Sequence, residues 1–367
     1  MRIIFCGGGT AGHVSPAIAI AEYLLTQDKN ADILFVGREG GEENRIIEKS
    51  GFNLQTVNIR GFIRKFTVEN FKNLYIALKA LNTAKNIIKN YSPDIVVGTG
   101  GYVCWPVIRA AQKLGIPTVI HESNACPGLV TKLLSPRCDR VLLNLNGSEK
   151  EFKNKDNIRI VGNPVRDEFL TLNKKEARKN LGINSNDFLI SSFGGSGGSQ
   201  KINESIIAFM KSHSTKSKNI HHIHSSGNKY YSEMKQKHPE LTKGTNGCII
   251  KPYIDNMPTV MAASDVIISR CGAMTIAEMS AVGACTILIP SPNVTNNHQY
   301  KNAKLIEEMG GCILLEEANL CERTLLDTVR RLESDKDLRN SLSNGIRKFY
   351  FPDSKKIIYE EIKRLAE

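Results

Sequence analysis

The chain has 367 residues, of which 41% are hydrophobic and 23% charged, a composition that excludes a disordered or fibrous protein and, at this length, favours two domains. A formal net charge of +12 indicates anionic partners. The basic residues are nevertheless spread along the chain, with no zinc-finger spacing and no aromatic RNA-binding motif, so we expect phosphorylated small molecules or an anionic membrane and no nucleic acid.

Short apolar runs alternate with longer amphipathic stretches along the whole chain. The runs are continuously apolar, as in parallel strands that are buried on both faces. The predicted strands are residues 3–5, 33–36, 95–97, 118–120, 141–143, 188–193, 220–224, 249–250, 266–268, 286–289 and 313–315. This alternation predicts an α/β protein with two Rossmann-like, doubly wound parallel-sheet domains.

A strand, a glycine-rich turn and a helix-like stretch follow one another twice, once in each half of the chain. The turns are residues 7–13 (GGGTAGH) and 194–199 (GGSGGS). Glycines let the backbone approach a ligand, and the unpaired N–H groups and dipole of the following helix favour an anion. Two such sites predict two facing domains with a cleft between them. Because only the first turn contains a histidine, we assign acceptor chemistry to the first half and a phosphate-bearing donor to the second.

His13 is the candidate for proton transfer. Gly7, Gly9 and Gly12 satisfy a dinucleotide-binding pattern, but the second strand leads into Arg38 and lacks the acidic residue that would hold a ribose. A neutral imidazole at the start of a helix can take a proton from an incoming hydroxyl. A histidine that is only hydrogen-bonded in the first helical turn is the alternative, and both interpretations remain open.

Polar residues follow two further strands of the first half. They are residues 99–102 (TGGY) and 121–124 (HESN). Both groups fall at the carboxyl ends of predicted strands, where ligands bind in open α/β sheets. Together with His13 they could surround a sugar. A structural hydrogen-bonded pair is the alternative for His121 and Glu122, and we favour it for one of the two.

The domain boundary is predicted at residues 161–166 (VGNPVR), where a strand ends and Gly-Asn-Pro interrupts the chain. This gives an N-terminal domain of residues 1–163 and a C-terminal domain of residues 164–351. Near the end of the chain, Phe351 and Pro352 interrupt the helical pattern, and there the chain could cross back to the first domain.

The second half offers contacts for a diphosphate and a ribose. The N–H groups of the second turn and the Ser196 hydroxyl suit a diphosphate, and Arg166 could neutralise its charge or simply lie at the surface. Glu278 follows Thr275 by three residues on one helical face, and its carboxylate could accept the hydroxyl protons of a ribose. Arg270 could pair with Glu278 or with phosphate.

Further contacts are predicted for the base and the sugar. Tyr253 follows a predicted strand and could cover a uracil ring, whereas His298 and Gln299 open a helix and suit sugar hydroxyls. No acidic pair or Asp-x-Asp stands where a metal-bound diphosphate would need it. We therefore expect no metal cofactor, with glycine turns and helix dipoles in its place.

The nine cysteines form no Cys-x-x-Cys pair, so we interpret them as reduced, mostly buried thiols of a cytosolic protein. No apolar run approaches the ~20 residues that span a bilayer. Met1 and Arg2 lead directly into a short strand, so we expect no signal peptide.

Taken in order along essentially the whole chain, these motifs resemble the GT-B glycosyltransferases of family 28, and within them the peptidoglycan enzymes that act on lipid I. The resemblance implies inverting transfer of N-acetylglucosamine from UDP-N-acetylglucosamine to the C4 hydroxyl of undecaprenyl-pyrophosphoryl-MurNAc-pentapeptide, giving lipid II. It also implies a GT-B fold in which the last helix, residues 352–367, packs back on an acceptor- and membrane-side first domain. The implied location is the cytoplasmic face of the cell membrane, with proteins of cell-wall synthesis, cell shape or division as possible partners.

The resemblance makes His13 the catalytic base and assigns two sets of binding residues. The donor set is Thr10, Ala11, Gly12, His13, Asn124, Arg166, Ser196, Tyr253, Ile254, Arg270, Ala273, Met274, Thr275, Glu278, His298 and Gln299. The acceptor set is Gly9, Thr10, His13, Gly101, Tyr102, Glu122 and Asn124. This chain departs from some members of the family at Gly197 and His298, where they have glutamine, which leaves one diphosphate contact and the sugar contacts open.

A lipid-linked acceptor requires a membrane contact. Aromatic and basic side chains are mixed before and within a predicted helix, as in an interfacial segment. The predicted membrane patch consists of Phe62, Ile63, Arg64, Lys65, Phe66 and Lys72. As an alternative, the helical spacing of Phe71, Leu74, Leu78 and Leu81 would suit a core helix.

Three other functions share these motifs. A UDP-sugar epimerase would need no acceptor and no membrane patch, a diacylglycerol glycosyltransferase would use another lipid, and a nucleotide-sugar sensor would bind UDP without needing His13.

Overall fold

The computed structural model describes residues 1–61, 68–213, 219–294 and 297–367. The chain divides into two compact units. Unit 1 comprises Met1–Arg166 and Phe351–Glu367, and unit 2 comprises Asp167–Tyr350. Among the helices of the described ranges, none combines the length and the apolar character needed to cross a membrane.

Unit 1 is built on a seven-stranded sheet in which all neighbouring strands are parallel. Its strands are β1 (Arg2–Cys6), β2 (Asp32–Arg38), β3 (Asn53–Val57), β4 (Ile95–Gly98), β5 (Thr118–Glu122), β6 (Arg140–Leu143) and β7 (Ile158–Ile160). Their order in the sheet is β3-β2-β1-β4-β5-β6-β7. The chain therefore reverses its direction of growth between β1 and β4, which is where ligands bind in sheets of this kind.

Helices cover both faces of this sheet. The helices of unit 1 are α1 (Ala11–Gln27), α2 (Glu42–Lys49), α3 (Val68–Tyr91), α4 (Cys104–Leu114), α5 (Leu129–Leu134) and, at the end of the chain, α16 (Ser354–Ala366). Side chains alternate along a strand, so Ile3 and Phe5 pack on the side of α1 and α16, whereas Ile4 and Cys6 pack on the side of α3 and α4. Burial on both sides explains why the strand is apolar at consecutive positions.

The C-terminal helix α16 is part of unit 1. Ile358 and Ile362 are fully buried in the core formed with α1. The carboxylate of Glu361 is also buried. It forms an ion pair with Arg140 (2.8 Å) and accepts hydrogen bonds from Arg159 and Arg364 (2.6 Å). Apolar packing and a buried ion-pair cluster thus hold α16 on the unit that contains the start of the chain.

Unit 2 repeats the same plan. Its strands are β8 (Phe188–Phe193), β9 (Ile220–Ser225), β10 (Cys248–Lys251), β11 (Val266–Ser269), β12 (Thr286–Leu288) and β13 (Ile313–Leu314), all parallel, in the order β10-β9-β8-β11-β12-β13. Its helices are α6 (Glu168–Thr171), α7 (Lys174–Leu181), α8 (Gln200–His213), α9 (Asn228–Lys237), α10 (Pro239–Lys243), α11 (Met257–Ala263), α12 (Ala273–Val282), α13 (His298–Glu308), α14 (Glu322–Ser334) and α15 (Lys336–Arg347). Its switch point lies between β8 and β11.

Candidate active site

In unit 1, two glycine turns meet at the switch point of the sheet. The amide of Gly8, in the turn after β1, donates to the carbonyl of Gly100, in the turn after β4 (3.3 Å). Gly101 has φ +81°, and a Cβ built on it would lie 1.9 Å from the carbonyl oxygen of Gly8. Only glycine fits this contact, because a side chain would both collide with the neighbouring backbone and strain its own.

His13 lies in the first turn of α1, against this pair of turns. A Cβ built on Gly100 would lie 2.4 Å from its Nδ1, so the imidazole rests on the glycine backbone. The Thr99 hydroxyl donates to the main-chain carbonyl of His13 (2.6 Å), which fixes the start of the helix. The side chain of His13 is half-buried, whereas the neighbouring Gly9 and Thr10 are exposed. The arrangement suits a base that must reach a ligand from a fixed position.

Four more of the predicted acceptor residues lie near His13 at this edge of the sheet. The ring of Tyr102 lies over Gly9, since a Cβ added to Gly9 would be 3.1 Å from the ring, and Gly101 belongs to the same turn as Tyr102. Thr10 immediately precedes α1 in an extended conformation. The structure therefore brings Gly9, Thr10, His13, Gly101 and Tyr102 together.

Glu122, in contrast, is occupied by the protein itself. Its buried carboxylate accepts hydrogen bonds from the Asn124 amide (3.1 Å), the Asn124 side chain (3.1 Å), the Gly128 amide (3.0 Å) and the Thr131 hydroxyl (2.7 Å). These four donors order the turn after β5 and the start of α5. Glu122 thus fixes the backbone and the side chain of Asn124.

His121 is buried and has a different partner from Glu122. Its Nε2 lies 3.0 Å from the carbonyl oxygen of Gly162, which can only accept a hydrogen bond, so this nitrogen carries the proton. Burial lowers the pKa of the imidazole below its ordinary value, which keeps it neutral. The side chain therefore connects β5 to the segment that follows β7.

In unit 2, the second glycine turn wraps the start of the long helix α8. Gly195 and Gly198 have φ +87° and +72°, and a Cβ on Gly198 would lie 2.0 Å from the carbonyl oxygen of Ser226. Ser196, between them, is exposed. The turn borders a cavity of about 550 Å³, whose other walls include Arg270 and Gln299. A glycine turn, a helix N-terminus and an open polar cavity are the features of which anion sites in proteins are built.

Arg270 holds this cavity together. Its guanidinium pairs with Glu317, donates to the Ser199 hydroxyl (2.6 Å) and donates to the carbonyls of Ile289 (3.2 Å) and Pro290 (3.1 Å). The pairing with Glu278 considered from the sequence is therefore replaced by a pairing with Glu317. Sequence reasoning placed Ser199 in the glycine turn but missed its hydroxyl as a partner of Arg270, and it missed Glu317 as a site residue.

Gln299 joins two loops at the same edge of the sheet. Its Oε1 accepts hydrogen bonds from the amides of Ser291 (2.9 Å) and Cys271 (3.4 Å). His298, the preceding residue, begins α13. These contacts fix the start of α13 beside the cavity.

The remaining predicted donor residues of unit 2 follow β10 and β11. Ala273, Met274, Thr275 and Glu278 lie in α12, with Glu278 half-buried. Tyr253 is 43% exposed and Ile254 is 4% exposed. Tyr253 therefore lies at the surface of unit 2, whereas the side chain of Ile254 belongs to the core.

The other predicted donor residues belong to unit 1. Ala11 and Gly12 begin α1, Asn124 follows β5, and Arg166 is the last residue of the N-terminal segment. Within the described ranges, no group of three His, Cys, Asp or Glu side chains is arranged to hold a metal ion.

Most of the predicted membrane patch, Phe62, Ile63, Arg64, Lys65 and Phe66, lies outside the described residues, and Lys72 lies in α3. Farther along α3, Tyr75 and Leu78 are 62% and 50% exposed, whereas Leu81 is buried. The interpretation of α3 as a core helix thus holds for Leu81 and is wrong for Leu78.

Two doubly wound parallel sheets, each with a glycine turn at its switch point, define a fold of the GT-B class. The chain belongs to glycosyltransferase family 28, because the family's N-terminal domain matches residues 3–143 and its C-terminal domain matches residues 189–356. This confirms the predicted family and the predicted fold of two Rossmann-like domains.

Relatives cover the whole chain. A protein of Thermoanaerobacter sp. (strain X514) is 42% identical over 367 residues, covering 100% of both chains, and is named UDP-N-acetylglucosamine–N-acetylmuramyl-(pentapeptide) pyrophosphoryl-undecaprenol N-acetylglucosamine transferase. Among solved structures, MurG of Acinetobacter baumannii has a TM-score of 0.72 at 23% identity, covering 99% of both chains. The UDP-GlcNAc 2-epimerase of Neisseria meningitidis has a TM-score of 0.71 at 15% identity, covering 99% of this chain and 100% of that one. These two structural likenesses show the fold alone.

Proposed function

We propose that this protein transfers N-acetylglucosamine from UDP-N-acetylglucosamine to the C4 hydroxyl of the MurNAc of lipid I, giving lipid II for peptidoglycan synthesis. The observation that carries this proposal is the 42% identity over all 367 residues to a relative named for that activity. The fold does not carry it, since transferases and an epimerase share the fold.

The donor binds to unit 2 through its diphosphate. The N–H groups of the glycine turn and the N-terminus of the 14-residue helix α8 offer positive charge to it, and the exposed Ser196 hydroxyl adds a donor. The same groups stabilise the charge on UDP as it leaves. Arg270 holds Ser199 and the loop after β12 in place through its hydrogen bonds. Arg166 of unit 1 is proposed to contact the diphosphate directly.

The nucleoside and the sugar are proposed to occupy the turns beside this site. Tyr253 covers the uracil and the backbone of Ile254 reads it, while Glu278 accepts the hydroxyl protons of the ribose. The transferred sugar meets side chains at the starts of two helices, namely Ala273, Met274, Thr275, His298 and Gln299. We predict that the transfer requires no metal ion.

The acceptor is activated by unit 1. His13 takes the proton from the C4 hydroxyl, whose oxygen attacks the anomeric carbon as the bond to UDP breaks, so that the configuration inverts. The half-buried position of His13 and its seat on Gly100 support this role. Gly9, Thr10, Gly101, Tyr102 and Asn124 are proposed to hold the acceptor, with Glu122 orienting Asn124. Thr10, Ala11, Gly12 and Asn124 also contact the donor sugar in this proposal.

Release of UDP from UDP-N-acetylglucosamine, measured with and without a lipid I analogue, tests the proposed function. A transferase of this kind releases UDP only with the acceptor. An epimerase would instead form a new UDP-sugar without any acceptor, and a sensor would bind UDP without turnover. The same assay with diacylglycerol in place of lipid I tests the last alternative, because only a diacylglycerol glycosyltransferase would then release UDP.

Replacing Glu278 by alanine is expected to weaken UDP binding by roughly 10- to 100-fold, because a hydrogen bond to a charged group contributes about 1.5–3 kcal/mol. Calorimetry with UDP and with 2′-deoxy-UDP measures the effect. The wild type should prefer UDP, and Glu278→Ala should lose that preference. An unchanged affinity for UDP would show that the ribose lies elsewhere.

We also propose that this protein is a peripheral membrane protein, and that unit 1 binds the anionic cytoplasmic face of the cell membrane. In the described part of unit 1, the exposed large apolar side chains all lie on α3 and α5: Tyr75, Leu78, Leu129 and Leu133. Lys79 lies 5.3 Å from the ring of Tyr75, and Lys132 is on α5. Each basic residue near an anionic surface contributes about 1 kcal/mol.

Flotation with anionic liposomes tests the membrane contact. We expect less bound protein for the triple variant Phe62→Ala, Ile63→Ala, Phe66→Ala and for Tyr75→Ser with Leu78→Ser, because both remove apolar surface from the interface. Leu305→Ser with Met309→Ser changes exposed apolar residues of unit 2 and serves as the matched control. If the first two variants bound the liposomes as well as the wild type, the membrane contact would have to lie on another surface of the protein.

A further inference from the structure

A buried polar cluster lies under the glycine turn of unit 2, among β8, β9 and α8. Ser192, Asn203, His222 and His224 are each at most 1% exposed. Ser192 Oγ lies 2.7 Å from Nε2 of His222 and 2.8 Å from Nδ1 of His224, and Nε2 of His224 lies 3.0 Å from Oδ1 of Asn203. Buried polar groups in a core otherwise formed by apolar residues are costly unless their hydrogen bonds are satisfied.

The direction of the hydrogen bond between Asn203 and His224 follows from one fixed acceptor. The side-chain amide of Asn203 donates to the carbonyl of Ser226 (3.0 Å), so its Oδ1 faces His224 and accepts from Nε2–H. Burial lowers the pKa of His224 to about 4, so the ring is neutral near pH 7. Its Nδ1 lies between the Ser192 hydroxyl (2.8 Å) and the Ser192 carbonyl oxygen (3.2 Å).

The end of this chain of hydrogen bonds touches the glycine turn. The Ser226 carbonyl that accepts from Asn203 is the group against which Gly198 packs, at the distance that leaves no room for a Cβ. The backbone amide of Asn203 also donates to the carbonyl of Ser199, the last residue of the turn (2.9 Å). Asn203 thus contacts two groups that position the turn, namely the Ser226 carbonyl against which Gly198 packs and the Ser199 carbonyl at the end of the turn.

We propose that Asn203 and His224 are positioning residues for the nucleoside diphosphate. They hold the Ser226 carbonyl and the first turn of α8 in register, so that the N–H groups of residues 194–199 converge on the diphosphate. This role rests on the proposed function, because it assumes that UDP binds at that turn. Neither residue touches the ligand.

Calorimetric binding of UDP and steady-state kinetics test the role. Asn203→Leu and His224→Leu are expected to raise the Kd for UDP and the KM for the donor about tenfold or more, with the KM for the acceptor unchanged. His224→Gln, whose amide can donate to Asn203, should restore most of the affinity. Should a leucine variant fail to fold, Asn203→Ser carries the same expectation with a smaller change in volume.

His221→Leu is the matched control, since His221 is next to His222 on β9 but faces Asp187 (2.9 Å) on the other side of the sheet. It should lower the Tm without weakening UDP binding. Unchanged UDP affinity in Asn203→Leu, or an equal loss of affinity in His221→Leu, would overturn the positioning role alone. A wild type that binds no UDP would overturn the proposed function together with it.

Discussion

Replacing His13 by alanine is expected to lower kcat by roughly 10²- to 10⁴-fold, the usual contribution of a general base. The affinity for UDP should survive, because the diphosphate and the nucleoside are proposed to bind to unit 2. The substitution leaves the support of the helix intact, since the Thr99 hydroxyl bonds to the main chain of residue 13. Single-turnover transfer to a lipid I analogue and calorimetry with UDP measure the two quantities separately.

His238→Ala is a suitable control for this experiment, because His238 is a partly buried histidine of unit 2 outside the cavity at the glycine turn. It should retain the wild-type kcat. A His13→Ala variant with unchanged kcat would exclude the base, and the side chain would then be only a hydrogen-bonded residue of the first helical turn. The sequence is compatible with that second interpretation as well.

The central strands of both sheets were predictable because their residues are buried on both faces and give continuous apolar runs. The strand β3 (NLQTV) was not predicted, and the structure shows why. It lies at the edge of the sheet, its side chains are mostly exposed, and it has no apolar run. Edge strands depend on pairing with a neighbour, here β2, which a local pattern does not record.

The partners of the candidate site residues were not predictable from the sequence. The turn after β11 pointed to Arg270, and the nearby Glu278 suggested a local ion pair. The actual partner, Glu317, is 47 residues away and meets Arg270 because only β12 separates β11 from β13 in the sheet. Similarly, the sequence placed Glu122 at the end of a strand, but the donors that occupy its carboxylate come from the following turn and from α5.

We expect a second large effect, on the affinity for the donor nucleotide, from a substitution in the glycine turn of unit 2. Gly198→Ala should weaken UDP binding more than tenfold and lower the Tm. Its Cβ would lie 2.0 Å from the Ser226 carbonyl oxygen, so the backbone must move, and its φ of +72° costs a further 1–2 kcal/mol or so for a residue with a Cβ. Movement of the turn takes its N–H groups away from the diphosphate.

Alanine substitutions at two neighbouring glycines separate the effect of the collision from the effect of the backbone conformation. Gly195 has φ +87°, but a Cβ added there would have no described atom within 4 Å, so Gly195→Ala should show the cost of the backbone conformation without the collision. The φ of Gly197 lies outside the left-handed region, and a Cβ added there would also have no described atom within 4 Å. Gly197→Ala should therefore bind UDP like the wild type. The expected order of UDP affinity is therefore Gly197→Ala, then Gly195→Ala, then Gly198→Ala. Equal affinities across the three variants would mean that the diphosphate does not depend on the shape of this turn.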